Sequence, residues 1–255
     1  MERATVDNIR QQGARMTEIL GLAGSPVGVM FLSEAAEVAG KVPVLQQHRY
    51  CQALTRARRG SEVLLNKEGI SCPAAAAAFG FRPLPPALES GHGLVGFGIV
   101  SDEAVGRKMF AYMPKLAAGS IAMLQLFPLD KAKCSPDIVV IEDEVEKLMW
   151  VLLAYLHAAG GQRIQSSTAV LQAACVDSTI IPYLENRLNF SLGCYGCRDA
   201  TDIGNNESVL GFPAAILPAV VEHLEYLYQK AMPTSRSKRA WQMLQREDRP
   251  HKVGC

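Results

Sequence analysis

The block that most constrains the fold is "CSPDIVVIEDEVEKLMWVLLAYLHAAGG", Cys134 to Gly161. Ile138 to Ile141 is a short β-branched apolar run with the length of a buried strand. Asp143 and Glu146 then form a capping-box-like start. Val145, Leu148, Met149, Leu152, Leu153 and Leu156 follow at helical spacing, which predicts one buried face, and Gly160 predicts the stop. A strand that runs straight into so apolar a helix needs a layered fold, a sheet covered by helices.

The same alternation recurs along the chain. A helix is predicted from Val6 to Leu22, with Ile9, Met16, Ile19 and Leu20 on its apolar side, and a strand from Val27 to Leu32. "CQALTRARRG" reads as a helix from Cys51 to Gly60, and "EVLLN" as a strand. In "SCPAAAAAFGF", Pro73 suits the first helical position, which makes Cys72 the N-cap. "GLVGFGIV" (Gly93 to Val100) reads as a strand, "DEAVGRKMFAYM" as a helix and "SIAMLQLFPL" as a strand. A last amphipathic helix covers Leu217 to Lys230. The predicted class is α/β, with mixed sheets and flanking helices.

The chain divides into an N-terminal helix over 1–24, an α/β domain over 25–232 and a polar tail over 233–255. There is also an internal echo. Ser25-Pro26 precedes "VGVMF" and Ser135-Pro136 precedes "DIVVI"; each unit leads to a helix and then to two cysteines about 20 residues apart. If this marks a duplication, the halves are 25–130 and 131–232, and each brings two cysteines toward a common axis.

Charge narrows the partners. With 26 basic and 25 acidic residues the formal net charge is +1, too little to steer the chain onto nucleic acid or an anionic membrane. The longest apolar run, Leu148 to Leu156, is far short of the roughly 20 residues of a membrane span. The charged N-terminus has no apolar leader segment. A soluble cytoplasmic protein is expected.

Seven cysteines then need an explanation: Cys51, Cys72, Cys134, Cys175, Cys194, Cys197 and Cys255. In a reducing cytosol they do not form a disulfide framework, and any one alone reads as a small buried hydrophobe. Cys51 and Cys72 stand where helices begin, which favours thiolates. Arg49, Arg56 and Arg198 are near in sequence and would offset the charge of a cluster. The spacing matches neither a tight ferredoxin run nor the two Cys-x-x-Cys pairs of a structural zinc site. The one such pair, Cys194 with Cys197, also admits a thiol–disulfide enzyme. His48, three residues before Cys51, and His92 in "SGHGL" are candidate groups near a cofactor; His157 and His223 read as structural. No phosphate loop, Ser-His-Asp set or kinase signature is present.

Taken in order, "SPVGVMFL", "RYCQALTRARRG", "SCPAAAAAFGF", "FPLDKAKCSPDIVVI", "QAACVD" and "GCYGCRD" resemble the blocks of the prokaryotic family known as domain of unknown function 169, from about Ser25 to Leu217. The resemblance sorts the thiols. The cysteines of the family pattern fall on Cys51, Cys72, Cys175 and Cys194, with Gly196 and Arg198 completing the last element. Cys197 falls on a variable position, and Cys134 and Cys255 match nothing. "SCPAAAAAFGF" departs from the Gly-rich form of its block.

Four such thiolates imply a [4Fe–4S] cluster or a zinc ion. The family's anaerobic prokaryotic setting favours the cluster. The expected function is an iron–sulfur protein that transfers electrons, an oxidoreductase if it is an enzyme, with a redox protein or small molecule as partner; self-association stays open. His48, His92 and Arg198 would face a neighbouring cleft for a second cofactor, a tetrapyrrole such as haem being conceivable. The alternatives are a zinc-stabilised binding module and a thiol–disulfide enzyme using Cys194 and Cys197. The question for the fold is whether Cys51, Cys72 and Cys175 meet Cys194 in space.

Overall fold

A computed structural model describes residues 5–33 and 41–247. Cys255 and His251 lie outside the described residues. The centre is one six-stranded sheet built from β1 (Val27–Leu32), β2 (Val63–Asn66), β3 (Met123–Pro128), β4 (Ile138–Glu144), β5 (Asn189–Ser191) and β6 (Glu207–Pro213). The strand order is β2-β3-β1-β4-β6-β5, and every pairing is antiparallel. The fold is mixed α/β, a sheet with flanking helices.

Read outward from the centre, the order is first, third, second in each half: β1-β3-β2 and β4-β6-β5. The halves meet where β1 runs antiparallel to β4, with Gly28 opposite Val139. The third strand of each half ends on Phe-Pro, Phe127-Pro128 and Phe212-Pro213, and runs into a single 3₁₀ turn, Leu129–Lys131 or Ala214–Ile216. This is the topology that two copies of a three-stranded unit produce.

Strand alternation assigns the two faces. Val27, Val29, Leu124, Leu126, Ile138, Val140 and Val209 face one core, and Phe127, Val139, Ile141, Leu210 and Phe212 face the other. The second core is closed by α1 (Val6–Leu20), α7 (Val145–Ala158) and α10 (Leu217–Lys230). Thr5 caps α1 by accepting from the Asn8 N–H at 3.3 Å, and Gly21 ends it in the left-handed conformation, φ 66°. The first core is closed by α2 (Tyr50–Arg58), α3 (Pro73–Ala78) and a π-helical segment, Ala173–Ile180, followed by α8 (Ile181–Glu185) and α9 (Tyr195–Ala200). None of the helices among the described residues is long and apolar enough to cross a membrane.

Three local expectations are corrected, and one element is added. Gly93–Val100 is not a strand. His92–Gly96 is a short helix, α5, which packs with α4 (Pro86–Glu89) and α6 (Glu103–Ala111). The left-handed glycines Gly91 and Gly98 bound it, and Phe97 is 63% exposed, so no sheet face is buried there. The capping box at α7 is absent, because the buried Asp143 carboxylate accepts from the Ala23 and Glu144 N–H groups and from Lys147. The buried face of α7 is Leu148, Trp150, Val151 and Ala154, while Val145, Met149 and Leu153 are exposed. The tail is helical as far as it is described, in α11 (Met232–Arg236) and α12 (Arg239–Glu247).

Candidate functional site

Each half of the sheet delivers cysteines from equivalent places. In the first half Cys51 lies in the opening turn of α2, between the first and second strands, and Cys72 is the N-cap of α3, just after the second strand. In the second half Cys175 lies in the π-helical segment, again between the first and second strands, and Cys194 is the N-cap of α9, just after the second. The four thiols, with Cys197, line one cavity of about 60 Å³ whose other walls include Arg49, Tyr50, Ala74, Leu171, Gln172, Ala174 and Gly196. Cys51, Cys175, Cys194 and Cys197 are buried, and Cys72 is half-buried at the rim.

The π-helix depends on a missing side chain. Gly211 of β6 lies beneath it, and a Cβ there would overlap the Ser178 carbonyl. Close approach of the segment to the sheet therefore requires glycine. Polar contacts clamp its edge. Thr168 donates to the Asp177 carboxylate at 2.6 Å, and the Asn189 amide donates to the Asp177 carbonyl at 2.7 Å. Burial, the largest influence on Asp177, pushes its carboxyl up, and the bonds from Thr168 and Ser191 oppose this. Across the two halves the buried Tyr50 hydroxyl bonds Thr179 Oγ1 at 2.7 Å. Just before the segment Val170 sits at φ 50°, a strained position for a β-branched residue.

Helix α2 is tied to α9 and the loop after it. Arg49 donates to the Gly196 carbonyl at 3.0 Å and to Asp199 at 3.2 Å, and the Gln52 amide donates to the Ala200 carbonyl at 3.3 Å. At the other end of α2, buried Arg58 bonds Asp202 at 2.6 Å and lies 3.5 Å from the Glu142 carboxylate. Burial outweighs Arg58 there and pushes the Glu142 carboxyl up to about 7.

The thiols form a hydrogen-bonded chain. Cys194 Sγ donates to Cys197 Sγ at 3.0 Å, well beyond a disulfide bond, and the Cys197 N–H donates to Cys194 Sγ at 3.3 Å. The bond from Cys194 pulls Cys197 down, but the bond to Cys51 and burial outweigh it and push Cys197 up to about 12. Cys194 is raised by its bond to Cys197 and by burial. Cys175 is raised well above the ordinary thiol range by burial, and by the nearness of Cys72, Cys194 and Cys197. As the thiols stand, no group of three Cys, His, Asp or Glu side chains among the described residues is arranged to hold a single metal ion.

A pH prediction follows from these raised thiols. Their folded pKa lies above the unfolded value of about 8.5. The stability of the neutral forms is complete below that pH and is lost as pH rises, for Cys197 through about 12. Metal-free protein is expected to unfold at lower urea at pH 10 than at pH 7, each thiol contributing a slope of about 1.4 kcal/mol per pH unit. A Cys197→Ser variant that shows an undiminished drop would refute this origin.

The sequence candidates separate cleanly. Cys51, Cys72, Cys175 and Cys194 converge. His48, His92 and Arg198 do not border the cavity. His48 Nδ1 lies 2.6 Å from the Gln46 carbonyl, and Arg56 donates to its Nε2. Exposed His92 pairs with Glu103 at 2.8 Å. Arg198 donates to the Leu192, Gly204 and Glu207 carbonyls, and so fixes the loops beside Cys194 rather than facing the thiols. Arg49 is the cation at the cavity instead. Cys197, which falls on a variable position of the family pattern, is a fifth thiol of the same wall. Its Cys-x-x-Cys spacing is the signal, since position three of a helix returns toward the N-cap. Cys134 lies elsewhere, on a separate cavity of about 770 Å³ lined by Ile9, Met30, Tyr183 and Leu217 among others.

The profile of one family, DUF169, described as uncharacterised ArCR, matches residues 15–223. The chain belongs to the DUF169 family. The cysteine cavity lies wholly within the matched region, while α11 and α12 lie beyond it. Uncharacterized protein MJ0308 of Methanocaldococcus jannaschii is 28% identical over 227 residues, which cover 88% of this chain and 97% of that protein. No solved structure matches the chain.

Proposed function

We propose that this DUF169 protein is an iron–sulfur protein that carries electrons, with a [4Fe–4S] cluster held by Cys51, Cys72, Cys175 and Cys194 between the two halves of the sheet. The observation that carries the reading is the convergence of these dispersed thiols, two from each half, on one small cavity. Its lining holds no carboxylate or histidine. Arg49 and main-chain N–H groups on the sulfurs suit the negative charge of thiolate ligands. Half-buried Cys72 marks the side on which electrons enter and leave.

The other readings fit less well. A tetrahedral zinc ion needs its sulfurs around one point, whereas a cluster spreads them over several irons. Such a point is not formed among the described residues. A thiol–disulfide enzyme needs a depressed thiol pKa, but burial and neighbouring thiols raise Cys194 and Cys197. A tetrapyrrole in a neighbouring cleft would need His48, His92 and Arg198 to face it together, but they are engaged apart, His48 with the Gln46 carbonyl, His92 with Glu103 and Arg198 with the Leu192, Gly204 and Glu207 carbonyls.

The test is anaerobic purification followed by iron and sulfide analysis, absorption spectroscopy and electron paramagnetic resonance of the reduced protein. Iron and sulfide in equal amounts, with a reducible spectrum, is the expected result. Protein that holds neither, as isolated and after anaerobic reconstitution, overturns the reading. One zinc per chain selects the metal-clamped binding module instead.

A further inference from the structure

We propose that the side-chain amide of Gln172 donates a hydrogen bond to sulfur of the cluster in this cavity and thereby raises its reduction potential; this rests on the cluster reading above. Gln172 lines the thiol cavity and is 5% exposed. Its main-chain carbonyl is fully engaged, accepting from the Val176 N–H at 2.8 Å and the Asp177 N–H at 3.1 Å, with Cys175 Sγ at 3.7 Å. Its side-chain amide has no hydrogen-bond partner among the described residues. Its amide atoms are not sealed in the packing as Gln12 Oε1 and Ser178 Oγ are, so a donor without a protein partner beside this cavity is open to an occupant with acceptor atoms.

The cavity's other polar side chains are spoken for. Arg49 is bound to Gly196 and Asp199, and the Tyr50 hydroxyl to Thr179. The Cys197 main-chain N–H already reaches the Cys194 sulfur, at 3.3 Å. On the Cys175 side the thiol itself donates, to the Gln172 carbonyl at 3.7 Å, and no N–H bond to its sulfur is present among the described residues. When Cys175 ionises to bind iron it gives up that proton and becomes an acceptor only. A cluster held here would present sulfur acceptors on that side, and the free N–H of Gln172 would be the donor offered to them. Hydrogen bonds to cluster sulfur favour the more negative reduced state and raise the potential. Gln172 is therefore a positioning residue that tunes the cluster without ligating it.

The experiment compares wild type, Gln172→Met and Gln172→Glu, all as anaerobically prepared full chain. Iron and sulfide are measured first, then the potential by redox titration. Gln172→Met keeps the length and removes the donor. It is expected to retain full iron with a more negative potential and a shifted paramagnetic spectrum. Gln172→Glu is expected to shift the potential further, by adding a charge. A Met variant with full iron and a wild-type potential overturns the proposal and leaves the cluster reading standing. Should the Met variant load poorly, the Glu variant decides: a potential equal to that of wild type overturns the proposal equally. Wild type without iron or sulfide would instead remove the cluster reading itself, before any variant is compared.

Discussion

A methyl group added at Gly211 is expected to destabilise the protein by about 3 kcal/mol or more and to displace Cys175 from the cavity. The strand conformation at Gly211 does not require glycine, since β6 runs regularly there, opposite Val140 on one side and Asn189 on the other. The obstacle is the Ser178 main-chain carbonyl, which a Cβ would overlap. A flexible side chain could move aside, but a carbonyl inside a buried helix cannot move without its neighbours. Overpacking a tight core costs about 1–3 kcal/mol, and clashes with backbone lie at the upper end. Relief requires lifting the segment that carries Cys175, so iron retention should fall together with stability. Urea unfolding and iron analysis of Gly211→Ala check both. Gly96→Ala is the control, because a Cβ there meets nothing within 4 Å. A Gly211→Ala protein within about 0.5 kcal/mol of wild type would refute the packing account.

The second large effect is expected from serine at the converging cysteines. Each of Cys51→Ser, Cys72→Ser, Cys175→Ser and Cys194→Ser should reduce iron retention by at least the roughly 10- to 100-fold that even outer-shell changes cost. Cys134→Ser should leave it unchanged, because Cys134 borders a different cavity and packs with the opposite core. Cys197→Ser is the discriminating variant. Serine preserves a hydrogen-bonding group between Cys194 and Cys51, so the cluster should persist. A thiol–disulfide mechanism would lose all activity with the same change. Iron loss in Cys197→Ser equal to that of the four ligand variants would mean that the ligand set includes Cys197 and must be redrawn.

Much of the frame was legible in the chain. The strand Val27–Leu32, the helix Leu217–Lys230, the Cys72 cap and the Pro73 start stand where the pattern puts them. These are local properties: a run length, a helical period, a proline that has no N–H to lose. The sheet's two halves share one strand order, first, third, second, which the internal echo by itself does not specify. Where local signals balance, the reading failed. Helix α7 is apolar nearly all round, so its periodicity cannot choose the face that α1 and α10 will cover. The stretch 93–100 mixes apolar residues with glycines, and left-handed Gly91 and Gly98 bound it as a short helix, His92–Gly96.

The sequence by itself determined which residue types can carry chemistry and where they stand along the chain: seven dispersed cysteines, two of them, Cys51 and Cys72, where helices begin, and four that the family resemblance sorts into two similarly spaced pairs. The tertiary structure decided which of them meet. Only pairing β1 with β4 brings the pairs together, and only close contact of a π-helix with Gly211 seats Cys175 beside the others. The fold also added Cys197, selected Arg49 from the three arginines near these cysteines as the cation at the cavity, and brought Gln172 to its wall. Those outcomes depend on contacts between residues more than a hundred positions apart. No local period or propensity encodes them, because their energy arises only when distant surfaces pack.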